Sequence, residues 1–431
     1  FDPWSSVERD ERRPLLVGVI PHTMCNPRVR GCGFCTFPHE PFDRGRALAV
    51  TERVRAEIEA TVRRRPQLRR RRVDAVYLGG GTANLTPARA LASLGEALAE
   101  TFEVSRAEHT LEGAPVYFAA RGGEALAGLR AALGATRLRI SMGVQTFDPT
   151  RLQAMGRLHL GRREHVQRAI ELARRLDATT SADLLINQPG QALPEMLDDV
   201  REAVALGLDQ ICVYHLVLFS GLGTAWSRDG SLLARLPDNE RAFGHWAAVR
   251  EELLAQGYVQ RTLTNFERAD VPVERQFAYE RHSFAPERYD AVGFGPAGIS
   301  TMSGRLKWTN AERAEDYLSR VDRHGHAVAR VFAYDELDQR LLVVTRALPL
   351  MEIQGRSYRT RFGTSPWEDF REPLEVLQEA GLLTRTAGEG VALTPRGMFY
   401  ADSVAGLLAW PRTRLRGRGL PPHAAQVSMM G

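Results

Sequence analysis

Residues 15–35 read LLVGVIPHTMCNPRVRGCGFC, an apolar run followed directly by three cysteines. An apolar run that ends at a proline predicts a buried β-strand. The spacing Cys25-x6-Cys32-x2-Cys35 then puts three thiols on one short loop just after that strand. Because the rest of the chain contains one further cysteine, Cys212, this grouping indicates a metal site in a reducing compartment and not a disulfide framework.

Three kinds of site fit this loop. Three thiolates could hold a [4Fe-4S] cluster and leave one iron open to another ligand. A structural zinc ion could take His39 as its fourth ligand, and Cys32 with Cys35 could form a redox dithiol. The cysteines by themselves leave these alternatives open. Cys212 lies in an apolar run and is predicted to be a buried core residue.

Beyond the loop, short apolar runs alternate with longer amphipathic stretches, which is the pattern of parallel βα units. The predicted strands are residues 15–20, 73–78, 109–112, 138–144, 179–186 and 210–216. The predicted helices include residues 51–65, 87–102, 124–133, 162–175 and 194–205. Six such units predict an α/β fold built as a partial (βα)6 barrel of the TIM type.

Polar and glycine-rich signals follow several of these strands. The turn Gly79-Gly80-Gly81-Thr82 comes after the second strand, and Glu112, Gln145 and Asp183 lie at or near the ends of the next three. Because the carboxyl ends of the strands carry the chemistry in barrels of this type, we expect these residues to surround one site.

The remainder of the chain divides into smaller parts. Residues 1–14 are predicted to be an N-terminal extension, 15–216 the barrel, and 217–330 a core extension with connecting loops. Residues 331–410 are predicted to form a small winged-helix-like domain, and 411–431 a tail. The helices of the winged domain lack a basic face that could read DNA bases, so we interpret this domain as a packing element and not as a DNA-binding domain.

Composition narrows the class of protein. With 431 residues, of which 44% are hydrophobic, the chain can bury one large core and a smaller second one. No apolar run is long enough for a membrane span, and the charged N-terminal segment does not read as a signal peptide, so we expect a cytoplasmic protein. The net charge is +5, and the arginine run at residues 63–72 is expected to be a solvated surface; neither nucleic acid nor membrane is predicted as a partner.

Six ordered motifs resemble one known family. They are IPH at 20–22, CGFC at 32–35, YLGGGT at 77–82, SMGVQTF at 141–147, Asp183 with PGQ at 189–191, and GFG at 293–295. Together they resemble the radical S-adenosylmethionine (SAM) proteins related to oxygen-independent coproporphyrinogen III oxidase, and residues 377–402 resemble that family's winged C-terminal domain. One departure is the loop length, since these enzymes usually have Cys-x3-Cys-x2-Cys.

The resemblance implies a cluster, a cofactor and roles for single residues. Cys25, Cys32 and Cys35 would hold a [4Fe-4S] cluster whose open iron binds SAM. The residues implied to bind SAM are Gly79, Gly80, Gly81 and Thr82 for the methionine part, Glu112 for the amino group, Arg157 for the carboxylate, Gln145 and Asp183 for the ribose, and the main chain of Phe34 for the adenine. Leu216 would line the pocket, and a flavodoxin or ferredoxin would supply electrons.

The same resemblance suggests a reaction with two SAM molecules. We expect a methyl or methylene transferase of the class C branch, which methylates or cyclopropanates an sp2 carbon of a small-molecule, peptide-derived or carrier-bound substrate. The loop at 220–224 and the glycines at 293–298 are the candidates for the second SAM site. Coproporphyrinogen decarboxylation is disfavoured because Val19 stands where those oxidases have a tyrosine. A haem chaperone is disfavoured because HSFAP at 282–286 replaces the His-Asn-x-x-Tyr element.

Overall fold

The computed structural model describes residues 12–26 and 32–416. The strands are β1 Leu15–Val19, β2 Met24–Cys25, β3 Glu40–Pro41, β4 Val73–Leu78, β5 Glu108–Gly113, β6 Arg137–Gln145, β7 Thr179–Ile186, β8 Gln210–His215, β9 Tyr258–Gln260, β10 Asn265–Arg268, β11 Asp290–Phe294, β12 Ile299–Met302, β13 Leu306–Asn310, β14 Val328–Ala333, β15 Glu352–Ile353, β16 Leu383–Thr386 and β17 Gly390–Leu393.

The helices are α1 Arg44–Arg64, α2 Ala88–Thr101, α3 Pro115–Phe118, α4 Glu124–Leu133, α5 Pro149–Ala154, α6 Leu158–Gly161, α7 Arg163–Arg175, α8 Leu193–Ala205, α9 Gly230–Leu233, α10 Asn239–Ala255, α11 Ala278–Ser283, α12 Ala314–His324, α13 Glu336–Ala347, α14 Gly355–Phe362, α15 Pro366–Asp369, α16 Arg371–Glu379, α17 Pro395–Phe399 and α18 Ala401–Arg416.

The main sheet is a partial barrel. Its strands lie in the order β14-β13-β12-β11-β1-β4-β5-β6-β7-β8-β10-β9, and the run β1-β4-β5-β6-β7-β8 is parallel throughout. These six strands are the six that the sequence predicts, within one or two residues at each end. The predicted α/β fold with a partial (βα)6 barrel is therefore confirmed.

Amphipathic helices cover the outer face of this barrel. In α1 the buried positions Ala47, Val50, Val54 and Ile58 recur every three or four residues, as one helix face requires. The helix begins at Asp43, whose side chain accepts a hydrogen bond from the backbone of Arg46 at 2.7 Å. The predicted start at residue 51 was therefore wrong, because the cap lies further upstream than the apolar pattern suggested.

Two further features depart from the predictions. Strand β11 pairs in parallel with β1, so a segment assigned to the connecting region extends the same sheet. Arg71, within the run expected to be solvated, is only 7% exposed and pairs with Asp290 at 2.7 Å. Arg13 reaches the same carboxylate at 3.0 Å, so this ion pair joins three distant segments.

The C-terminal part has its own core. Helices α16 and α18 pack with the three-stranded sheet β15-β17-β16 around Leu374, Leu377, Leu383 and Val404. The Nε1 atom of Trp367 donates to the carbonyl of Gly390 at 3.0 Å and satisfies the indole inside that core. The predicted winged-helix-like fold is confirmed by α16, the hairpin β16–β17 and α18, and β15 adds a third strand to the wing.

Among the residues that the structure describes, no helix has both the length and the apolar content of a membrane span. Most of the predicted N-terminal extension, residues 27–31 of the cysteine loop, and residues 417–431 of the predicted tail lie outside the described residues. The domain boundaries drawn from the sequence stay predictions.

Candidate functional site

The cysteine loop is anchored at its first thiol. Cys25 lies on β2, which pairs with β3, and its carbonyl accepts from the backbone of Phe42 at 2.7 Å. Thr82, in the glycine turn after β4, donates its backbone N–H to Met24 at 3.2 Å and its side chain hydrogen-bonds the thiol of Cys25. The predicted cluster ligand and the predicted SAM-binding turn are therefore in direct contact.

The three loop thiols are unoxidised and half-buried. Burial raises the pKa of Cys25 to about 11, and burial also raises the pKa of Cys35. A buried thiol of this kind stays protonated until a metal ion stabilises the thiolate. Within residues 12–26 and 32–416, no group of three His, Cys, Asp or Glu side chains converges on a point suited to one metal ion.

Arg157 lies between the loop and the barrel. Its Nη1 donates to the sulfur of Cys32 at 3.0 Å, and its Nη2 donates to the carbonyl of Gly143 on β6. Its Nε is buried and has no acceptor in the described part of the chain. A buried guanidinium with a free N–H group at the mouth of a barrel is suited to bind an anionic group such as a carboxylate.

The glycine turn closes tightly over the end of β4. A Cβ on Gly79 would lie 2.5 Å from the Oε2 atom of Glu112, and one on Gly81 would lie 2.8 Å from backbone atoms of Thr23 and Met24. Gly80 and Gly81 have φ values of 83° and 51°, which side chains seldom adopt. Only glycine lets the turn reach both the carboxylate and the cysteine loop.

Glu112 lies beneath this turn on β5. Its Oε2 accepts from the hydroxyl of Tyr77 at 3.0 Å, and its carboxylate also accepts from the backbone N–H of Gly80. Burial raises the pKa of Glu112 in spite of these two hydrogen bonds. A partly paired, buried carboxylate can accept further donors, as the predicted contact with an ammonium group requires.

Gln145 and Asp183 lie on the neighbouring strands. Gln145, at the end of β6, has φ 73°, and a Cβ added to Gly143 would be 3.2 Å from its Nε2 and 3.3 Å from Nη2 of Arg157. Asp183 pairs in register with Gly143 on one side and Cys212 on the other. Burial raises the pKa of Asp183 to about 7, with Glu112 as the next cause.

Phe34 and Leu216 meet in a small apolar cluster beside the loop. Leu216 is buried there with Met155, Leu185 and Leu218, and Phe34 packs against them. The ring of Phe34 also contacts that of Trp226 at 5.7 Å, edge to face. Trp226 donates its backbone N–H to Gly33 at 2.9 Å and covers the loop, a role that no sequence signal indicated.

The candidates for a second SAM site differ from each other. At 293–298, a Cβ on Gly293 would be 2.4 Å from the backbone of Ile299, and one on Gly295 would be 2.0 Å from the carbonyl oxygen of Ile20. Close packing against neighbouring backbone accounts for both glycines, and binding of a second SAM at this segment stays a prediction. In the exposed loop at 220–224, Gly221 and Gly223 have φ values of 96° and 89°, and the loop stays a candidate.

Two side chains inside the barrel were not singled out from the sequence. Tyr77 hydrogen-bonds Glu112, and Arg139 lies among the acidic residues of the barrel interior, with only 1% of its surface exposed. The alternation of Tyr77 with Gly79, and of Arg139 with Gly143 and Gln145, places them on the inward face, which is the signal that could have identified them.

Two other possible sites have less support than the one described above. His39, the possible zinc ligand, is exposed, and its Nδ1 lies 3.0 Å from the carbonyl oxygen of Phe37. A cavity of about 430 Å³ lies near the opposite ends of β7 and β8, where Arg174, Arg268 and Arg275 line it beside Asp177 and Asp209. None of the predicted site residues lines this cavity.

Comparison with known proteins gives two family matches. A family model described as the radical SAM superfamily matches residues 19–203, and one for the HemN C-terminal domain matches residues 352–400. In the solved structure of coproporphyrinogen III oxidase (HemN) from Escherichia coli, 92% of that chain superposes on 94% of this one, with a TM-score of 0.76 and 21% identity. This likeness supports the fold described above.

Three curated proteins are similar over most of their length. Radical S-adenosyl methionine domain-containing protein 1, mitochondrial, of Bos taurus is 29% identical over 382 residues, which are 84% of this chain and 82% of that protein. The haem chaperone HemW of Mycobacterium tuberculosis is 27% identical over 389 residues, 86% and 90% of the two chains. The oxygen-independent coproporphyrinogen III oxidase of Synechocystis sp. is 23% identical over 392 residues, 87% and 80%.

None of these matches supports the class C methyltransferase branch that the sequence suggested. Proteins of the radical SAM superfamily use a [4Fe-4S] cluster and SAM, so these are the cofactors of this chain. The donor set agrees, because half-buried thiols, a guanidinium with a free N–H and a partly paired carboxylate meet at one end of the barrel. Residues 19–203 match the radical SAM superfamily and residues 352–400 match the HemN C-terminal domain, so the chain combines a radical SAM domain with a HemN-type C-terminal domain.

Proposed function

We propose that this protein cleaves SAM reductively at a cluster held by Cys25, Cys32 and Cys35 and directs the radical to a tetrapyrrole-class substrate, as a porphyrinogen oxidase does. The single observation that carries the first half is the position of Arg157, bonded to Cys32 and to β6 with its Nε still free. The second half rests on the relatives, one of which is a coproporphyrinogen oxidase.

When bound, the reduced cluster and SAM together supply a 5′-deoxyadenosyl radical. The chain's own residues hold the reacting groups in a fixed geometry. Arg157 would pair with the SAM carboxylate, and Glu112 would accept from the ammonium group beneath the glycine turn. Gln145 and Asp183 would accept from the ribose hydroxyls, and the main chain at Phe34 would contact the adenine. In these assignments the strands β5, β6 and β7 contribute Glu112, Gln145 and Asp183 in turn.

The type of reaction depends on which molecule loses a hydrogen atom. In a porphyrinogen-type oxidation, the substrate would lose a hydrogen atom to SAM-derived 5′-deoxyadenosine, carbon dioxide to solution, and one electron to an acceptor of the ferredoxin or flavodoxin class. Methyl transfer would instead use a second SAM as the methyl donor, and the relatives give that reaction no support. We therefore favour oxidation over methylation as the reaction of this protein.

Haem binding is the second candidate function. It is favoured by the HemW relative, which covers 86% of this chain with 27% identity. The histidine nearest to that family's motif is His282, whose ring stacks on Tyr289 at 4.3 Å, and burial lowers its pKa to about 4. A neutral imidazole of this kind is able to bind iron, although it would have to leave the tyrosine ring.

One experiment separates these functions. The protein would be reconstituted anaerobically with iron and sulfide, reduced with dithionite, and incubated with SAM and coproporphyrinogen III. Mass spectrometry would measure 5′-deoxyadenosine, S-adenosylhomocysteine and the porphyrinogen product. We expect 5′-deoxyadenosine together with a product that is lighter by the mass of carbon dioxide and two hydrogen atoms.

The other outcomes are equally informative. If S-adenosylhomocysteine accumulates with 5′-deoxyadenosine while the porphyrinogen is unchanged, the oxidation is wrong and methyl transfer returns. If SAM is not cleaved but the protein binds haemin stoichiometrically, and His282→Ala abolishes the absorption band, the chaperone function replaces the enzyme. Absence of both SAM cleavage and haemin binding would contradict the proposal altogether.

A further inference from the structure

The interior of the barrel contains a guanidinium whose hydrogen bonds are incomplete. Arg139 is 1% exposed, and its Nε donates to the side chain of Gln210 at 2.6 Å. The amide of Gln210 in turn donates to Glu267 at 3.0 Å, which fixes the direction in which its oxygen points. The Nη1 and Nη2 atoms of Arg139 have no acceptor within the described residues. A buried cation held in this way is rigid and acts on its surroundings mainly through its charge.

A continuous series of contacts leads from Arg139 to Glu112. The ring of Phe277 lies 3.5 Å from the Cζ atom of Arg139 and contacts the ring of Tyr77 with centroids 6.3 Å apart. The hydroxyl of Tyr77 then donates to Oε2 of Glu112 at 3.0 Å. Burial and the nearby Glu112 raise the pKa of Tyr77 well above its usual value, so the phenol keeps the proton that it donates.

The charges around Glu112 make its ionisation depend on Arg139. The groups that face Glu112 are Tyr77 from β4, the backbone N–H of Gly80, Arg139 from β6, Asp183 from β7, and Cys35 from the loop; Asp183 also faces Glu280 and Cys212. Burial raises the pKa of Glu112 and of Asp183, and Arg139 lowers both. Arg139 is the one cation among these groups.

We propose that Tyr77 and Arg139 are positioning residues for Glu112. Tyr77 fixes the direction of the carboxylate toward the cofactor, and Arg139 supplies the positive charge behind it that keeps it able to bind an ammonium group. This inference rests on the proposed function, in which Glu112 contacts SAM. It adds two residues that act through Glu112.

The test is the affinity for SAM as a function of pH, measured by anaerobic calorimetry on cluster-loaded protein. Tyr77→Phe keeps the aromatic packing and removes one hydrogen bond to a charged group, so we expect the dissociation constant to rise about 10-fold. Arg139→Gln should weaken binding by about 10-fold near neutral pH and move the pH at which binding is half-lost upward by about one unit.

Two control variants separate this role from a structural one. Arg139→Lys keeps the charge, so its affinity should stay within about threefold of wild type with the same pH midpoint. Tyr279→Phe alters the neighbouring ring, 4.9 Å from Tyr77, and should change nothing. Iron content and circular dichroism would establish that each variant is loaded and folded. If Arg139→Gln does not fold, the SAM affinity of Tyr77→Phe tests the positioning role.

The outcomes distinguish this inference from the proposed function. Cluster-loaded wild type that does not bind SAM would overturn both. Wild type that binds SAM, with unchanged affinity and pH midpoint in Tyr77→Phe and Arg139→Gln, would overturn the positioning role alone. Equal losses in Arg139→Gln and Arg139→Lys, without a shift of the pH midpoint, would also overturn it, because a purely structural role predicts that pattern.

Discussion

Arg157 joins the cysteine loop to the barrel, with Nη1 at 3.0 Å from the sulfur of Cys32 and Nη2 bonded to the carbonyl of Gly143. The forked N–H donors of a guanidinium are needed to bond these two acceptors and an anionic group at the same time. The position of the cysteine loop and the affinity for the cofactor therefore both depend on the side chain of Arg157.

Replacing Arg157 by lysine should therefore weaken SAM binding while leaving the cluster in place. A lysine offers a single charged group and loses the fork, so we expect the dissociation constant to rise by about 10- to 100-fold, as for a lost hydrogen bond to a charged group. Equilibrium dialysis with labelled SAM would measure it. Arg163→Ala, at an exposed arginine that pairs with Glu202, is the control, and equal affinities in the two variants would contradict the assignment.

Cys32→Ser should abolish SAM cleavage and lower the iron content without unfolding the protein. The thiolate is a proposed cluster ligand, whereas the barrel core lies behind the loop and keeps its packing. Iron and sulfide analysis, with 5′-deoxyadenosine as the activity readout, would measure the effect. His39→Ala should retain full iron content; a loss there together with bound zinc in wild type would favour the Cys3His site.

Glu57 should be important for stability and not for chemistry. It is 3% exposed and accepts from the hydroxyl of Tyr317 at 2.7 Å and from Asn310 and the backbone of Gly295, each at 2.9 Å. Glu57→Ala removes the acceptor that these buried donors share, so we expect the free energy of unfolding to fall by about 3 to 5 kcal/mol.

Urea denaturation would measure that loss. The control is Glu59→Ala, because Glu59 pairs with Arg55 at 2.9 Å on the exposed face of the same helix, where both side chains are 38% exposed. Its free energy of unfolding should change by no more than about 0.5 kcal/mol. Similar losses in the two variants would mean that the buried network does not stabilise the fold.

Asp199 should make stability depend on pH. Burial raises its pKa from 3.8 to about 6, although it accepts from the backbone of Phe147 at 2.6 Å. The folded state then holds the proton more tightly than the unfolded chain, so its contribution to stability is lost as pH rises from about 4 to about 6.

Asp199→Asn carries no titratable group at this position and should escape that loss. The free energy of unfolding of the variant, minus that of wild type, should grow by up to about 3 kcal/mol across this window. Urea denaturation at a series of pH values would measure the difference. Parallel pH profiles for the two proteins would show that Asp199 titrates equally in both states.

The amino-acid sequence by itself determined the barrel, the cysteine loop and most of the inward-facing side chains. Strands β4 and β7, at residues 73–78 and 179–186, were predicted to the residue because short runs rich in apolar and β-branched residues predict strands. Thr82 and Glu112 could be assigned to one site because parallel strands end at one edge of the sheet. Local pattern was sufficient wherever neighbours in sequence decide the conformation.

Only the tertiary structure determined which residues distant in sequence are in contact. The contact of Arg157 with Cys32 joins residues 125 positions apart, and the cover of Trp226 over Gly33 comes from a loop with no motif. The close approach of neighbouring backbone to Gly293 and Gly295 could likewise be seen only in the folded chain. Alternation along β6 could place Arg139 on the inward face, but its importance depends on burial among carboxyl groups, which is a property of the closed barrel and not of the residues beside it in the chain.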